Sequence, residues 1–75
     1  MPAPRLVDLD LEEFERLCKE HELETDRQIA DAIDVDPSTV NRVRAGKQTP
    51  GTAFIDGTLA VFGTASYTRL FRRRA

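Results

Sequence analysis

Apolar residues at Leu11, Phe14, Leu17 and Cys18 recur every three or four positions, with Glu12, Glu13, Arg16, Lys19 and Glu20 between them. That period predicts an amphipathic helix, capped by Asp8 or Asp10. Its early acids and its late Lys19 and His21 suit the positive and negative ends of the helix dipole. Thr25 followed by Gln28 has the form of a capping box, and Ile29, Ala30 and Ile33 supply the inward stripe of a second, short helix. "DVDPST" stops that helix, and Asp36 with Pro37 offers an N-cap and a first-turn proline for a third, with Val40 and Val43 inward. Gly46 stands where a left-handed C-terminal residue is wanted, and Pro50 and Gly51 discourage continuation. A fourth helix from about Thr52 carries Phe54, Ile55, Leu59 and Phe62 and ends at Gly63. Gly57 counts against it, since an internal glycine costs about 1 kcal/mol relative to alanine. "SYTRLFRRRA" predicts a last short helix capped by Ser66, with Tyr67, Leu70 and Phe71 apolar. There is no strand-like alternation of useful length and no internal repeat. The expected class is all-α, with four or five helices in one domain over residues 1–75 and a flexible arm over 1–7, where Pro2 and Pro4 lie.

Composition narrows the chemistry. Seventy-five residues build one small core of marginal stability, with little room for a catalytic cavity. One cysteine, Cys18, excludes an internal disulfide, and with the lone His21 it cannot make a four-ligand zinc site. No Ser-His-Asp, Cys-His or phosphate-loop arrangement is present, so no catalysis, metal or cofactor is expected. No run reaches the roughly 18 apolar residues of a membrane span, and "MPAPRLVDLDLEEF" lacks the order of a signal peptide. A reducing cytoplasm is the expected compartment, and no separate sensor domain is expected in so short a chain.

Charge changes the picture. The net charge is −2, but residues 1–35 hold four bases against eleven acids, and residues 36–75 hold seven bases against two acids. One half is at −7 and the other at +5. Such polarity hints at an acidic outer face and a basic contact face.

The second and third helices, about nine residues each and joined by three, have the form of a helix-turn-helix unit at about 25–46, whose second helix enters the major groove. Ala30 is small where the two helices must come close, Val35 plugs the corner, and Val40 and Val43 seal the third helix to the body. On these residues, and above all on "VDPSTVNRVRAGKQTP", the chain resembles the lambda-repressor-like and Cro-like (XRE-type) helix-turn-helix transcription regulators over residues 25–47, and more loosely through Phe62. Two positions depart from that family. Asp34 stands where glycine is usual in the left-handed corner, a conformation aspartate visits better than most residues. Asp26 stands where a phosphate-touching glutamine is common, so that Arg27 or the helix N-terminus serves instead.

The resemblance implies groove or base contact at Pro37, Ser38, Thr39, Asn41 and Arg42, and backbone contact at Arg44, Lys47 and Gln48. Asn suits adenine and Arg suits guanine, each good pair giving about 1 to 3 kcal/mol of discrimination. Asn41 and Arg42 are the expected readers. Ser38, Gln48 and Thr49 add phosphate bonds that fix register, and Arg27 and Gln28 complete the candidate set at the start of the second helix. Plainer readings stand beside these. Asn41 and Arg42 also suit a solvated helix face, Arg44 and Lys47 suit dipole partners, and Asp36 suits an N-cap. Arg72–Arg74 read equally as a solvated tail or a contact to DNA or a partner. Tyr67, Leu70 and Phe71 cover the core or join two copies as a homodimer. The function expected from the resemblance is a specific duplex-DNA-binding transcriptional regulator, most like a small phage Cro-like or immunity repressor that occludes a promoter. The alternative is a protein-interaction module, such as an antitoxin-like or antirepressor subunit.

Overall fold

Asp10 starts the first helix, because its carboxylate accepts the Glu13 N–H at 3.1 Å and satisfies one of the donors that a helix start leaves open. The computed structural model describes residues 7–73. In it α1 spans Leu11–Glu20, α2 Asp26–Ile33, α3 Pro37–Arg44 and α4 Thr52–Phe62. A 3-10 turn at Thr64–Ser66 leads into α5, Tyr67–Leu70. The fold is mostly helical, as expected, with one small two-stranded ribbon added. Val7–Leu9 (β1) and Phe71–Arg73 (β2) pair antiparallel, with Val7 opposite Arg73, Asp8 opposite Arg72 and Leu9 opposite Phe71. Each strand is three residues long, too short for alternation to declare it, and its partner lies at the far end of the chain. Asp8 therefore belongs to a strand and does not cap α1, and Val7 is not part of an arm. The arm's residues 1–6 and Arg74 lie outside the described residues.

The ribbon fastens both ends of the chain to α1. Asp10 donates its backbone N–H to the Leu70 carbonyl at 2.7 Å, continuing the pairing from β1 into the end of α5. Leu70 and Phe71 are buried, at 0% and 3% exposure, so both cover the chain's own core. Of the three residues considered for a homodimer, only Tyr67 is left at the surface, 41% exposed and tilted against Phe71 at 5.5 Å. Ser66 does not act as a side-chain cap. Its backbone is already helical, and its hydroxyl donates to the Gly63 carbonyl at 2.6 Å.

Phe14 is the centre of the core, 5.6 Å from the ring of Phe54 and edge-on to Phe62 at 6.1 Å. Ile29, Ala30, Ile33, Val40, Val43 and Leu70 belong to the same buried cluster. Burying a side chain of this kind stabilises by about 1.5 to 3 kcal/mol. Cys18 is part of this core, and His21 sets its ring edge-on to Phe62 at 4.9 Å. Leu11, expected on the inward stripe of α1, is 40% exposed.

Helix α4 packs its expected face inward and buries Thr58 as well. Phe54 and Thr58 are its fully buried positions, whereas Ile55, Leu59 and Phe62 are half-buried against the core. Gly57 allows a close approach, since a Cβ there would stand 1.9 Å from the Ile33 carbonyl oxygen. The backbone of α4 meets the end of α2 at this point. The residue that counted against the helix is what seats it.

Candidate nucleic-acid interface

The pair α2 and α3 is assembled from local bonds. Thr25 Oγ1 accepts the Gln28 N–H at 3.1 Å, and Gln28 Oε1 accepts from Thr25 N at 3.1 Å and from Glu24 N at 2.7 Å, completing the capping box. Asp34 ends α2 in the left-handed region at φ 61°, as its place in the corner requires. Val35 sits half-buried against the core. Asp36 then accepts from the Ser38 N–H at 3.1 Å and the Ser38 hydroxyl at 3.0 Å, with Pro37 in the first turn. Those two bonds, the backbone one first, hold its carboxyl below the usual carboxylate range. At the other end, Lys47 N–H bonds to the Arg42 carbonyl (2.9 Å) and Gly46 N–H to the Val43 carbonyl (3.1 Å), with Gly46 at φ 76°. This is the Schellman arrangement, which needs a residue that tolerates positive φ.

With Val40 and Val43 sealed inward at 0% and 5% exposure, α3 turns Ser38, Asn41, Arg42 and Ala45 to solvent, and Thr39 is half-buried. Pro37 is exposed beside them, as are Lys47 and Gln48, with Thr49 partly covered. The Arg42 guanidinium is held by its surroundings. Its Nε donates to Gln48 Oε1 at 2.7 Å, and an Nη lies 3.5 Å from Thr39 Oγ1. Gln28 is exposed with its carbonyl oxygen engaged in the capping box, so its NH2 group is the end available to a ligand. Arg27 and Lys47 are exposed, and neither shares an ion pair with an acid among the described residues.

Arg44 is engaged by acids beside that surface. One Nη donates to Asp26 Oδ1 and the other to Glu15 Oε1, both at 2.5 Å, so the guanidinium ties α3 to the first turn of α2 and to α1. Glu15 first, and Asp26 with it, hold its pKa above the ordinary arginine value despite partial burial. Asn41 joins the same group, its Nδ2 donating to Asp26 Oδ2 at 3.2 Å. Sequence reasoning placed no role on Glu15 or Asp26 here. The partners are 15 to 29 positions apart, and no local period connects them.

Several grooves border α3 among the described residues. One is lined by Asp34, Asp36, Thr39, Gln48 and the start of α4 at Gly51–Phe54. Another runs between β1 and the loop after α3, along Asp8, Leu9, Gly46, Gln48 and Thr49. At the ribbon, Arg72 is exposed and 3.6 Å from Asp10, and Arg69 reaches Glu13 at 4.0 Å. Arg16 on the outer face of α1 bonds to Glu13 and Glu20. Among the described residues no group of His, Cys, Asp and Glu is placed to hold a metal, and no helix is long and apolar enough to cross a membrane. No protein-family model, curated protein or solved structure matches the chain.

Proposed function

We propose that the chain is a helix-turn-helix regulator that binds specific duplex DNA, with α3 as the helix that enters the major groove. The observation that carries this reading is the α2–α3 pair itself: a capped short helix, a three-residue corner with Asp34 left-handed, and a second capped helix whose apolar side is sealed while Ser38, Asn41 and Arg42 face out. A side chain that reads a base edge has to be exposed, polar and held, and Asn41 and Arg42 are all three. Arg27, Lys47, Gln48 and Thr49 surround them with donors suited to phosphates, which fix register. Arg44, expected at the DNA backbone, also braces α3 against α1 and α2. The mechanism is occupancy of an operator, by which bound protein excludes polymerase from a promoter.

The second reading is a protein-interaction module. It draws on exposed Leu11 and Tyr67, and on an Arg44 already matched by acids. Selection from a randomised duplex pool at near-physiological salt tests both readings. The native chain is expected to enrich one motif, and Asn41→Ala with Arg42→Ala to lose it. Absence of any enriched motif with the native chain overturns the DNA reading and leaves protein contact. A palindromic motif marks two copies on half-sites one helical turn apart.

A further inference from the structure

We propose that Asp26 sets the base preference of Asn41 by locking the direction in which its amide faces, so that α3 reads an adenine at that position. This rests on the DNA-binding reading above and adds to it a residue that touches no base.

The chemistry of the four groups allows one arrangement. An ionised carboxylate only accepts hydrogen bonds, so the Asn41 atom facing Asp26 has to be the donor nitrogen, as it is at 3.2 Å. The amide oxygen is thereby held away from Asp26. Of the two N–H bonds on Nδ2, one goes to Asp26. In this proposal Asp26 takes the N–H that points away from Oδ1, so that the other N–H, beside Oδ1, forms with that oxygen a donor–acceptor edge. Adenine presents the complement in the major groove, an acceptor at N7 and a donor at N6. Asp26 is itself held in place, because its second oxygen accepts from Arg44 at 2.5 Å and Arg44 is anchored to Glu15 on α1 at 2.5 Å. Arg44 also offsets a carboxylate charge that would otherwise stand bare near phosphates. The side chains of Asp26 and Arg44 are 32% and 26% exposed, so this brace is partly shielded from solvent.

Asp26→Asn makes the test sharp, because it has the same shape. Arg44 only donates, so it keeps the oxygen of the new amide, and the new NH2 group turns toward Asn41. Two NH2 groups cannot bond to each other, so Asn41 flips and presents its nitrogen outward. The adenine edge is lost while the rest of the surface is unchanged. Asp26→Ala removes the lock without imposing the flip.

The experiment is duplex selection followed by affinity measurement on the selected site and its single-base variants, for the native chain, Asn41→Ala, Asp26→Asn and Asp26→Ala, each checked for native helicity. The base position read by Asn41 is the one at which Asn41→Ala loses preference. The native chain is expected to favour adenine there by about tenfold to a hundredfold. Asp26→Asn is expected to lose at least about tenfold of that preference and Asp26→Ala much less, both keeping the preferences at other positions and the same salt dependence. A folded Asp26→Asn that keeps the adenine preference overturns the inference alone, as does a native preference for another base at that position. No motif with the native chain overturns the DNA reading and this inference with it. If Asp26→Ala fails to fold, the isosteric Asp26→Asn decides.

Discussion

Gly57 and Ile33 touch backbone to backbone, since a Cβ on Gly57 would lie 1.9 Å from the Ile33 carbonyl oxygen. The contact decides how α4 packs. On helix propensity alone Gly57→Ala stabilises by about 1 kcal/mol. Here the obstacle is backbone, which has no rotamer to swing aside, and overpacking of this kind costs about 1 to 3 kcal/mol or more. The net expectation is a destabilised protein, with a lower melting temperature and α4 shifted. Thermal denaturation followed by circular dichroism checks it, and a rise in melting temperature would contradict the packing.

Arg44 and Lys47 are both basic and near the end of α3, yet they are expected to behave differently. On the proposed DNA-binding function, Lys47→Ala should weaken binding evenly across sequences and reduce the slope of log affinity against log salt by about one, leaving the fold intact. Arg44→Met should act first on stability. It leaves Asp26 and Glu15 without their shared partner, a loss of about 1 to 3 kcal/mol for charged hydrogen bonds. Salt titrations of binding, beside urea melts of the same variants, separate the two roles.

Glu22 closes α1 in a left-handed conformation at φ 59°, with Leu23 N–H bonded to the Cys18 carbonyl and Glu22 N–H to the Lys19 carbonyl. A side chain there costs about 1 to 2 kcal/mol, which glycine avoids. Glu22→Gly is expected to stabilise by about 1 kcal/mol, raising the melting temperature by roughly 4 to 8 °C for a domain of this size. An unchanged or lower melting temperature would show that the turn is not strained.

Thr58 is fully buried in α4, and its hydroxyl has no hydrogen-bond partner among the described residues. An orphaned buried hydroxyl costs about 1 to 3 kcal/mol, and a methyl group of the same size does not. Thr58→Val keeps the shape and should raise stability by about 1 kcal/mol. Chemical denaturation at constant m-value measures it.

Cys18 is 2% exposed, and burial, helped by the charge of Glu15 and opposed by Arg44, pushes its thiol up to about 11. Above the ordinary thiol value of 9.0 the unfolded chain releases this proton while the folded chain keeps it. Stability therefore falls as pH rises from about 9 toward 11, and Cys18→Ala should lack that part of the fall. The same burial predicts slow reaction with a thiol reagent at neutral pH, accelerating once the protein is unfolded in urea.

Much of the fold was legible because it depends on residues within a few positions of one another. The Thr25 and Gln28 box, the Asp36 cap with Pro37 behind it, the left-handed Asp34 and Gly46, and the inward Val40 and Val43 are each decided by backbone chemistry inside one or two turns of helix. The exposure of Asn41 and Arg42 follows from the same period. What only the tertiary structure decided involves partners far apart in the chain. The ribbon joins residues 7–9 to 71–73 and takes Leu70 and Phe71 into the core, away from any partner surface. The approach of α4 to Ile33 accompanies the burial of Thr58, which no apolar pattern marks, beside the expected Leu59 face. The clamp of Glu15, Asp26 and Arg44 assigns a residue from each of three helices to one charge network. Local hydrogen bonding has a period that a sequence displays, whereas the meeting of distant side chains depends on how the helices pack, and no local pattern records it.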